Sequence, residues 1–285
     1  MAERVCLESP AKINLRLEIL GKREDGYHEL RTVFQKISLH DTLYFSLREE
    51  RGISIKADHP DLPTGEDNLV HKAVLSMIRE SDYQGGVEVQ IEKRIPLGAG
   101  LGGGSSNAAT ALQALNRLLE AKRSRKELME IGLRIGADVP FFFLKKAAIG
   151  LGIGERLEEI ELPSLWFVLI YPNFQVSAGW AYQNFVLTKT RFDINLQGVP
   201  RTPEEICRIL RNDLEQVVSR KYPEIKIMKK LLLGAGALGA LMTGSGPTVF
   251  GVYTEEQGAV EASRKVNNAV RGKGWLVITA HSIPS

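Results

Sequence analysis

Fourteen residues, Pro96–Ala109 (PLGAGLGGGSSNAA), hold five glycines and run straight into a helical pattern. Glycine tolerates left-handed backbone and lets the main chain come close to a ligand. A glycine loop that ends on a helix N-terminus points unpaired N–H groups and the positive dipole end at an anion, phosphate above all. The run therefore predicts a nucleotide site. Pro96, Gly98, Ala99, Gly100, Leu101, Gly102, Gly103 and Gly104 would wrap a triphosphate with their backbone. Ser105 and Ser106 would add hydroxyl contacts to phosphate or Mg²⁺, with Asn107 contributing. Ser105 is also expected to cap the following helix, whose Ala108, Leu112, Leu115 and Leu119 share one face.

Asp138 stands in GADVPFFF, ahead of Pro140 and three phenylalanines. A carboxylate in such apolar surroundings is costly without a partner, so it needs a cation or a helix end to cap. Asp25–Gly26 is a turn signal, which places Tyr27 and His28 near a loop tip where they can reach a ligand. Gly244, Ser245 and Gly246 form a second tight turn, either facing the same cleft as the first loop or simply joining two strands.

The elements that must position these groups are readable in outline. Lys12–Leu20 alternates strictly, with Ile13, Leu15, Leu17 and Ile19 on one face and Lys12, Asn14, Arg16 and Glu18 on the other, as in a half-buried strand. Leu43, Phe45 and Leu47, then Ile53 and Ile55, read as a hairpin. Asn68 begins a helix with Val70, Ala73, Val74, Met77 and Ile78 inward. Val87, Val89 and Ile91 make the strand that feeds the glycine loop. Ser124 and Glu127 form a capping box for a helix ending near Gly136.

A Gly-rich segment, Ala147–Glu155, breaks the composition and sets the expected boundary between a domain of residues 1–155 and one of 156–285. Beyond it, Trp166–Ile170 reads as a buried strand, Thr202–Glu205 as a capped helix start with proline at its first position, and Thr254 with Gln257 as the cap of a later helix. Trp275–Thr279 reads as the final strand. The order helix, strand, turn, strand, helix, strand points to a small α+β sandwich.

The bulk properties narrow the classes. At 285 residues the chain is long enough for one large or two small domains. Its 44% hydrophobic and 25% charged residues are those of an ordinary soluble protein, and a net charge of +3 does not imply nucleic-acid binding. Lys122, Arg123, Arg125 and Lys126 read as a solvated helix junction. Two cysteines, Cys6 and Cys207, offer no disulfide framework or metal spacing, as expected in the cytoplasm. The start lacks a signal-peptide core. Leu231–Tyr253 carries no charge and is long enough to span a bilayer, but its six glycines and Pro247 fit two buried strands joined by a tight loop. No membrane or nucleic-acid partner is expected.

Two other glycine-loop families can be set aside. A P-loop closes on GK[ST], whereas this run closes on GGSSN without a lysine. Gly98, Gly100 and Gly103 satisfy GxGxxG, with Glu120 at about the spacing of a ribose-binding acid. The loop nevertheless lies mid-chain after antiparallel-looking strands rather than at the first turn of a βαβ unit.

Three segments in order resemble the GHMP kinases, the superfamily named for galactokinase, homoserine kinase, mevalonate kinase and phosphomevalonate kinase. They are PAKINLRLEILGKREDGYHEL (Pro10–Leu30), the glycine run itself, and GALGALMTGSGPTVFG (Gly236–Gly251). GKREDGYHEL, GADVPFFF, TVFQKISLHDTL and the unbroken GLGGGSSNAA are most similar to the branch acting on a cytidine-diphospho sugar alcohol, in the non-mevalonate route to isoprenoid precursors.

The resemblance implies a two-domain α+β fold, with an N-terminal ATP-binding domain and a C-terminal ferredoxin-like sandwich. It implies transfer of the ATP γ-phosphoryl group to the substrate's 2-hydroxyl, with Mg²⁺, in a monomer or homodimer. Lys12 and Asp138 become the catalytic pair, and His28 with Tyr27 the contacts to cytosine. Tyr182 would offer an aromatic face opposite them, Asn14, Gly244 and Ser245 would touch substrate, and Asn68 would meet the adenosine or merely cap its helix. One position departs from the family: Ser177 is followed by Ala178 where a threonine is common, so no hydroxyl contact is expected there. A sister kinase of homoserine or mevalonate type, and a nucleotide-binding module without catalysis, are the alternatives.

Overall fold

The computed structural model describes residues 4–187 and 198–283. In chain order the first half holds β1 (Arg4–Lys22), β2 (His28–Arg48), β3 (Gly52–Ala57), α1 (Leu69–Arg79), β4 (Gly86–Glu92), α2 (Gly103–Leu118) and α3 (Arg125–Ile135). A short 3-10 helix (Pro140–Phe143) leads to β5 (Ala147–Gly152), β6 (Arg156–Ile160), β7 (Trp166–Tyr171), α4 (Ala178–Gln183) and α5 (Pro203–Ile209). The chain ends with β8 (Arg211–Asn212), α6 (Asp213–Lys221), α7 (Glu224–Gly234), β9 (Gly239–Met242), β10 (Val249–Tyr253), α8 (Glu256–Ala269) and β11 (Leu276–His281).

Two compact units result, and they interleave along the chain. One comprises the chain up to Ala11 with Leu39–Leu97 and Gly102–Lys145; the other comprises Lys12–Ser38, Gly98–Leu101 and the chain from Lys146 on.

In the first unit, β4 lies inside the sheet between the edge strand β3 and β2. It pairs antiparallel with β2 (Phe45 opposite Val89) and parallel with β3 (Ile55 opposite Val89). The expected hairpin between Leu43–Leu47 and Ile53–Ile55 therefore does not form, because β4 is inserted between the two runs. Val87, Val89 and Ile91 are fully buried, and a strand that apolar gains most from a central position. Helices α1 and α2 pack against each other, α1 burying Val70, Ala73, Val74 and Met77. The α2 helix buries ten residues around its circumference, several of them alanine, as befits a helix enclosed by its neighbours. The Ser124–Glu127 capping box is present, with the side chain of each bonded to the backbone N–H of the other, and the helix closes at Gly136.

The second unit carries a four-stranded sheet in the order β11-β7-β10-β9, antiparallel throughout. Read along the chain as strand, helices, strand, strand, helix, strand, this is the ferredoxin-like arrangement. The uncharged stretch Leu231–Tyr253 ends in β9 and β10, paired antiparallel across the Thr243–Gly246 turn. Among the described residues no helix is long and apolar enough to cross a membrane. Thr202 caps α5 as expected. By contrast α8 starts at Glu255 with no side-chain cap, and Gln257 reaches along the helix to Glu261 instead of capping with Thr254. The Gly-rich segment from Ala147 forms β5 and the turn into β6, where Gly152 and Gly154 take positive φ.

The polar face of β1 is also buried. Lys12 (4% exposed), Asn14 (2%), Arg16 (1%) and Glu18 (4%) are all removed from water, contrary to the half-buried strand that alternation predicts. These groups pair with one another and with their neighbours, apart from Arg16 Nε, which is buried without a hydrogen-bond partner among the described residues. The Arg16 guanidinium pairs with Glu18 at 2.6 Å and donates to the Ile209 carbonyl, while Arg31 pairs with the other Glu18 oxygen at 2.7 Å. Burial alone would raise the Glu18 carboxyl, but the hydrogen bonds from Arg16 and Arg31 hold it below the usual glutamate range.

Candidate active site

The second unit gathers residues from all three kinase-like segments. The backbone N–H of Lys12 donates to the Leu101 carbonyl at 2.9 Å, which ties β1 to the glycine loop. The Asn14 N–H donates to the Thr243 hydroxyl at 2.9 Å, tying the same strand to the TGSG turn. The two glycine motifs touch directly. A Cβ on Gly100 (φ +77°) would stand 2.5 Å from the Thr243 carbonyl oxygen, and one on Gly244 would stand 2.8 Å from the Gly100 carbonyl oxygen. Only glycine fits either position. The Gly244–Ser245–Gly246 turn thus joins β9 to β10 and packs against Gly100 of the glycine loop.

Lys12 projects from this strand with its ammonium donating to Asn14 Oδ1 at 2.7 Å and lying 5.3 Å over the Phe34 ring. Asn14 Nδ2 in turn donates to the Thr32 hydroxyl at 2.8 Å, and that hydroxyl donates to the Arg16 carbonyl. The Lys12 ammonium is therefore buried and oriented, unlike a solvated lysine on a strand face. Thr32 and Asn212 went unnoticed in the sequence. Asn212 bonds the Met242 and Gly244 carbonyls at 2.7 and 2.8 Å and so braces the TGSG turn. Its signal was faint, a lone Asn-Asp pair ahead of an amphipathic helix.

Tyr27, His28 and Tyr182, the residues expected at the base, occupy the same unit. The Asp25 carboxylate accepts the Tyr27 N–H, and Gly26 takes φ +86°, so the turn expected at Asp25–Gly26 forms. Tyr27 is 60% exposed. His28 and Tyr182 stack on each other with centroids 5.4 Å apart and planes at 25°. They are thus direct neighbours, where the sequence reading had them face one another across a ligand. Burial, and then the nearby Lys22 charge, pushes the His28 imidazole below its ordinary value, which favours the neutral ring. Ser177 caps α4 through the Trp180 N–H, which orients the helix carrying Tyr182.

In the first unit, the N-cap of α2 is Gly102, a left-handed residue (φ +69°), and no side chain caps the helix. The cap therefore stands three residues before Ser105, the cap the sequence suggested. Glycine supplies the φ that a serine there could not adopt cheaply. Ser105 lies in the first turn, half-buried, with its hydroxyl 3.9 Å from where a Cβ on Gly136 would be. The turn from Gly136 to Val139, which carries the half-buried Asp138, is thus a neighbour of the α2 N-terminus. The 3-10 helix after it has Val139 as N-cap and no capping side chain, so Asp138 does not serve as that cap.

Two expected ligand contacts have structural roles here. Ser106 is fully buried, its hydroxyl 2.8 Å from the Ser9 hydroxyl and its N–H bonded to the Gly102 carbonyl, while Ser9 also donates to Asn107 Oδ1 at 2.7 Å. Asn68 accepts the Val70 N–H and donates to the Pro63 carbonyl, which uses both ends of its amide in capping α1. Among the described residues there is no cluster of three or more His, Cys, Asp or Glu able to hold a metal ion.

Comparison with known proteins bears on both halves of the chain. Residues 68–146 match the GHMP kinases N terminal domain, and residues 196–272 match GHMP kinases C terminal. The chain is 43% identical over 282 residues to 4-diphosphocytidyl-2-C-methyl-D-erythritol kinase of Citrifermentans bemidjiense, covering 99% of this chain and 100% of that one. It is 45% identical over 280 residues to the protein of the same name from Syntrophus aciditrophicus, covering 96% and 98%. A crystal structure of 4-(cytidine 5'-diphospho)-2C-methyl-D-erythritol kinase superposes with a TM-score of 0.77 at 34% identity, over 97% of this chain and 99% of that one. Homoserine kinase from Cytophaga hutchinsonii reaches the same TM-score at 20% identity, over 99% and 95%, a likeness of fold alone.

Proposed function

The chain belongs to the 4-diphosphocytidyl-2-C-methyl-D-erythritol kinases of the GHMP superfamily, and from that premise we propose that it transfers the ATP γ-phosphoryl group to the 2-hydroxyl of 4-diphosphocytidyl-2-C-methyl-D-erythritol. The products are ADP and the 2-phosphate, in the non-mevalonate route to isoprenoid precursors. The observation that carries this reading is the convergence of β1, the glycine loop and the TGSG turn around Lys12 and Asn14, with an aromatic pair at His28–Tyr182 in the same unit.

Phosphoryl transfer asks a protein for positioning and charge stabilisation more than for covalent chemistry. Backbone amides from Gly98 to Ser105 hold the triphosphate, and the uncapped α2 N-terminus faces its negative charge. The Ser105 hydroxyl would offer a protein oxygen to a Mg²⁺ ion on the triphosphate, which would supply charge neutralisation there.

Asp138 orients the acceptor hydroxyl and takes its proton. A carboxylate is too weak a base to ionise an alcohol outright, so the proton leaves late, once the loose transition state has formed. Lys12, fixed by Asn14, stabilises the developing negative charge on the attacking oxygen. The cytosine stacks against the His28–Tyr182 pair, with the exposed Tyr27 beside it, and the neutral imidazole can donate or accept at the base edge. A cytosine-binding pair has no purpose in a homoserine or mevalonate kinase.

Lys12→Ala and Asp138→Ala test the assignment. Steady-state turnover of the cytidyl substrate is expected to fall by about 10²–10⁴ in each, while calorimetric affinity for ATP stays within a few-fold of wild type. Near-normal turnover in both variants would remove this pair from the chemistry.

A further inference from the structure

The glycine loop contains no lysine, yet a buried one lies beneath the helix it leads into. Lys93 follows β4 and precedes the loop. Its side chain is 3% exposed, and its ammonium donates to Asp41 Oδ2 and to the Ile95 carbonyl, both at 2.6 Å. Asp41 is wholly buried, and its other oxygen accepts the N–H groups of Arg94 and Ile95, both at 2.8 Å. The Lys93 N–H is itself held by Asp58 at 2.8 Å. Three consecutive residues before Pro96 are therefore pinned by two carboxylates, on a segment with no ladder partner to hold it.

The same lysine meets α2. A Cβ on Gly103 would fall 3.2 Å from Lys93 Nζ and 3.0 Å from Ile95 Cγ2, so the first residue of the helix rests on this pair with no room for a side chain. Two of the three ammonium protons have acceptors, and the third has none among the described residues. Burial pulls the Lys93 ammonium below the usual lysine range, and Asp41 opposes that.

Buried ion pairs seldom stabilise a fold more than apolar replacements would, so a role beyond folding is the better account of this one. We propose that Lys93, held by Asp41, is a positioning residue for the nucleotide: it sets the first turn of α2 where its amides meet the triphosphate, and thereby sets ATP affinity rather than the transfer step. This rests on the reading of the glycine loop as the ATP site.

The test uses the full chain and an ATP analogue that cannot be hydrolysed, adenylyl imidodiphosphate with Mg²⁺. The double variant Lys93→Met/Asp41→Asn removes both charges together and keeps an acceptor for the Arg94 and Ile95 amides, so it is expected to fold. Its dissociation constant for the analogue should rise about tenfold or more, a change of about 1.4 kcal/mol per decade. The KM for ATP should follow, with kcat at saturating ATP and the KM for the acceptor within about threefold of wild type. Asp41→Asn alone takes the anionic partner from the Lys93 ammonium, keeps an acceptor for both amides, and should give the same selective loss. Val74→Ala, a core change in α1 outside the site, controls for general destabilisation and should leave the affinity unchanged.

Unchanged analogue affinity in both test variants, or a loss matched by Val74→Ala, overturns the proposal. If the double variant does not fold, the affinity of Asp41→Asn decides. If the wild type binds the analogue but fails to phosphorylate the cytidyl acceptor, the substrate assignment falls while the role of Lys93 is still decided by the binding measurements.

Discussion

His28 shows how much one side chain depends on its surroundings. As a lone histidine it says little; after Asp25–Gly26 and stacked on Tyr182 it becomes half of the proposed base platform. Its folded pKa lies below the ordinary value, so the neutral imidazole persists as pH falls through the usual histidine range. The KM for the cytidyl substrate should therefore begin to rise at a lower pH than an ordinary histidine, titrating near about 6.5, would set. His28→Ala should raise this KM by about tenfold or more, abolish the acid rise and leave the KM for ATP nearly unchanged. Steady-state profiles for both substrates would check this, and equal effects on the two would remove His28 from specificity. The candidate catalytic residues were legible because their types and neighbouring motifs are distinctive. The role of Ser106 was not, since a hydroxyl in a motif looks the same whether it faces a ligand or, as here, Ser9.

Among the elements, those fixed by local chemistry were readable and those fixed by long-range pairing were not. The Ser124–Glu127 box and the Asn68 cap involve residues within one turn of each other. The insertion of β4 between β2 and β3 depends on partners far apart in sequence, so alternation alone suggested a hairpin. Alternation misled again on β1, whose polar face is buried because Thr32, Arg31 and Thr243 come from elsewhere to satisfy it. Close packing of the two glycine motifs is the element-level feature most exposed to mutation. Gly100→Ala combines a left-handed φ, costing about 1–2 kcal/mol for a side chain, with a 2.5 Å approach to the Thr243 carbonyl. It should lower the melting temperature and weaken ATP binding together, as thermal unfolding and calorimetry would show. An unaffected nucleotide affinity would mean that the contact between the motifs does not shape the loop.

On the scale of the molecule, the C-terminal sandwich was foreseen from its element order and is realised as the β11-β7-β10-β9 sheet. The two family matches, at 68–146 and 196–272, lie on either side of the boundary expected at residue 155, whereas the compact units interleave because β1 and β2 each serve both. No linear reading could reveal that sharing, since one long strand and two short ones have the same alternation. The central claim concerns what the assembled enzyme makes. Phosphorus NMR of the protein with ATP, Mg²⁺ and 4-diphosphocytidyl-2-C-methyl-D-erythritol, with homoserine and mevalonate as parallel acceptors, tests it most directly. The account predicts ADP together with one new phosphomonoester signal on the cytidyl substrate, its diphosphate intact, and no such signal with the other two. A phosphomonoester on homoserine or mevalonate instead, or ADP accompanied only by inorganic phosphate, would contradict it.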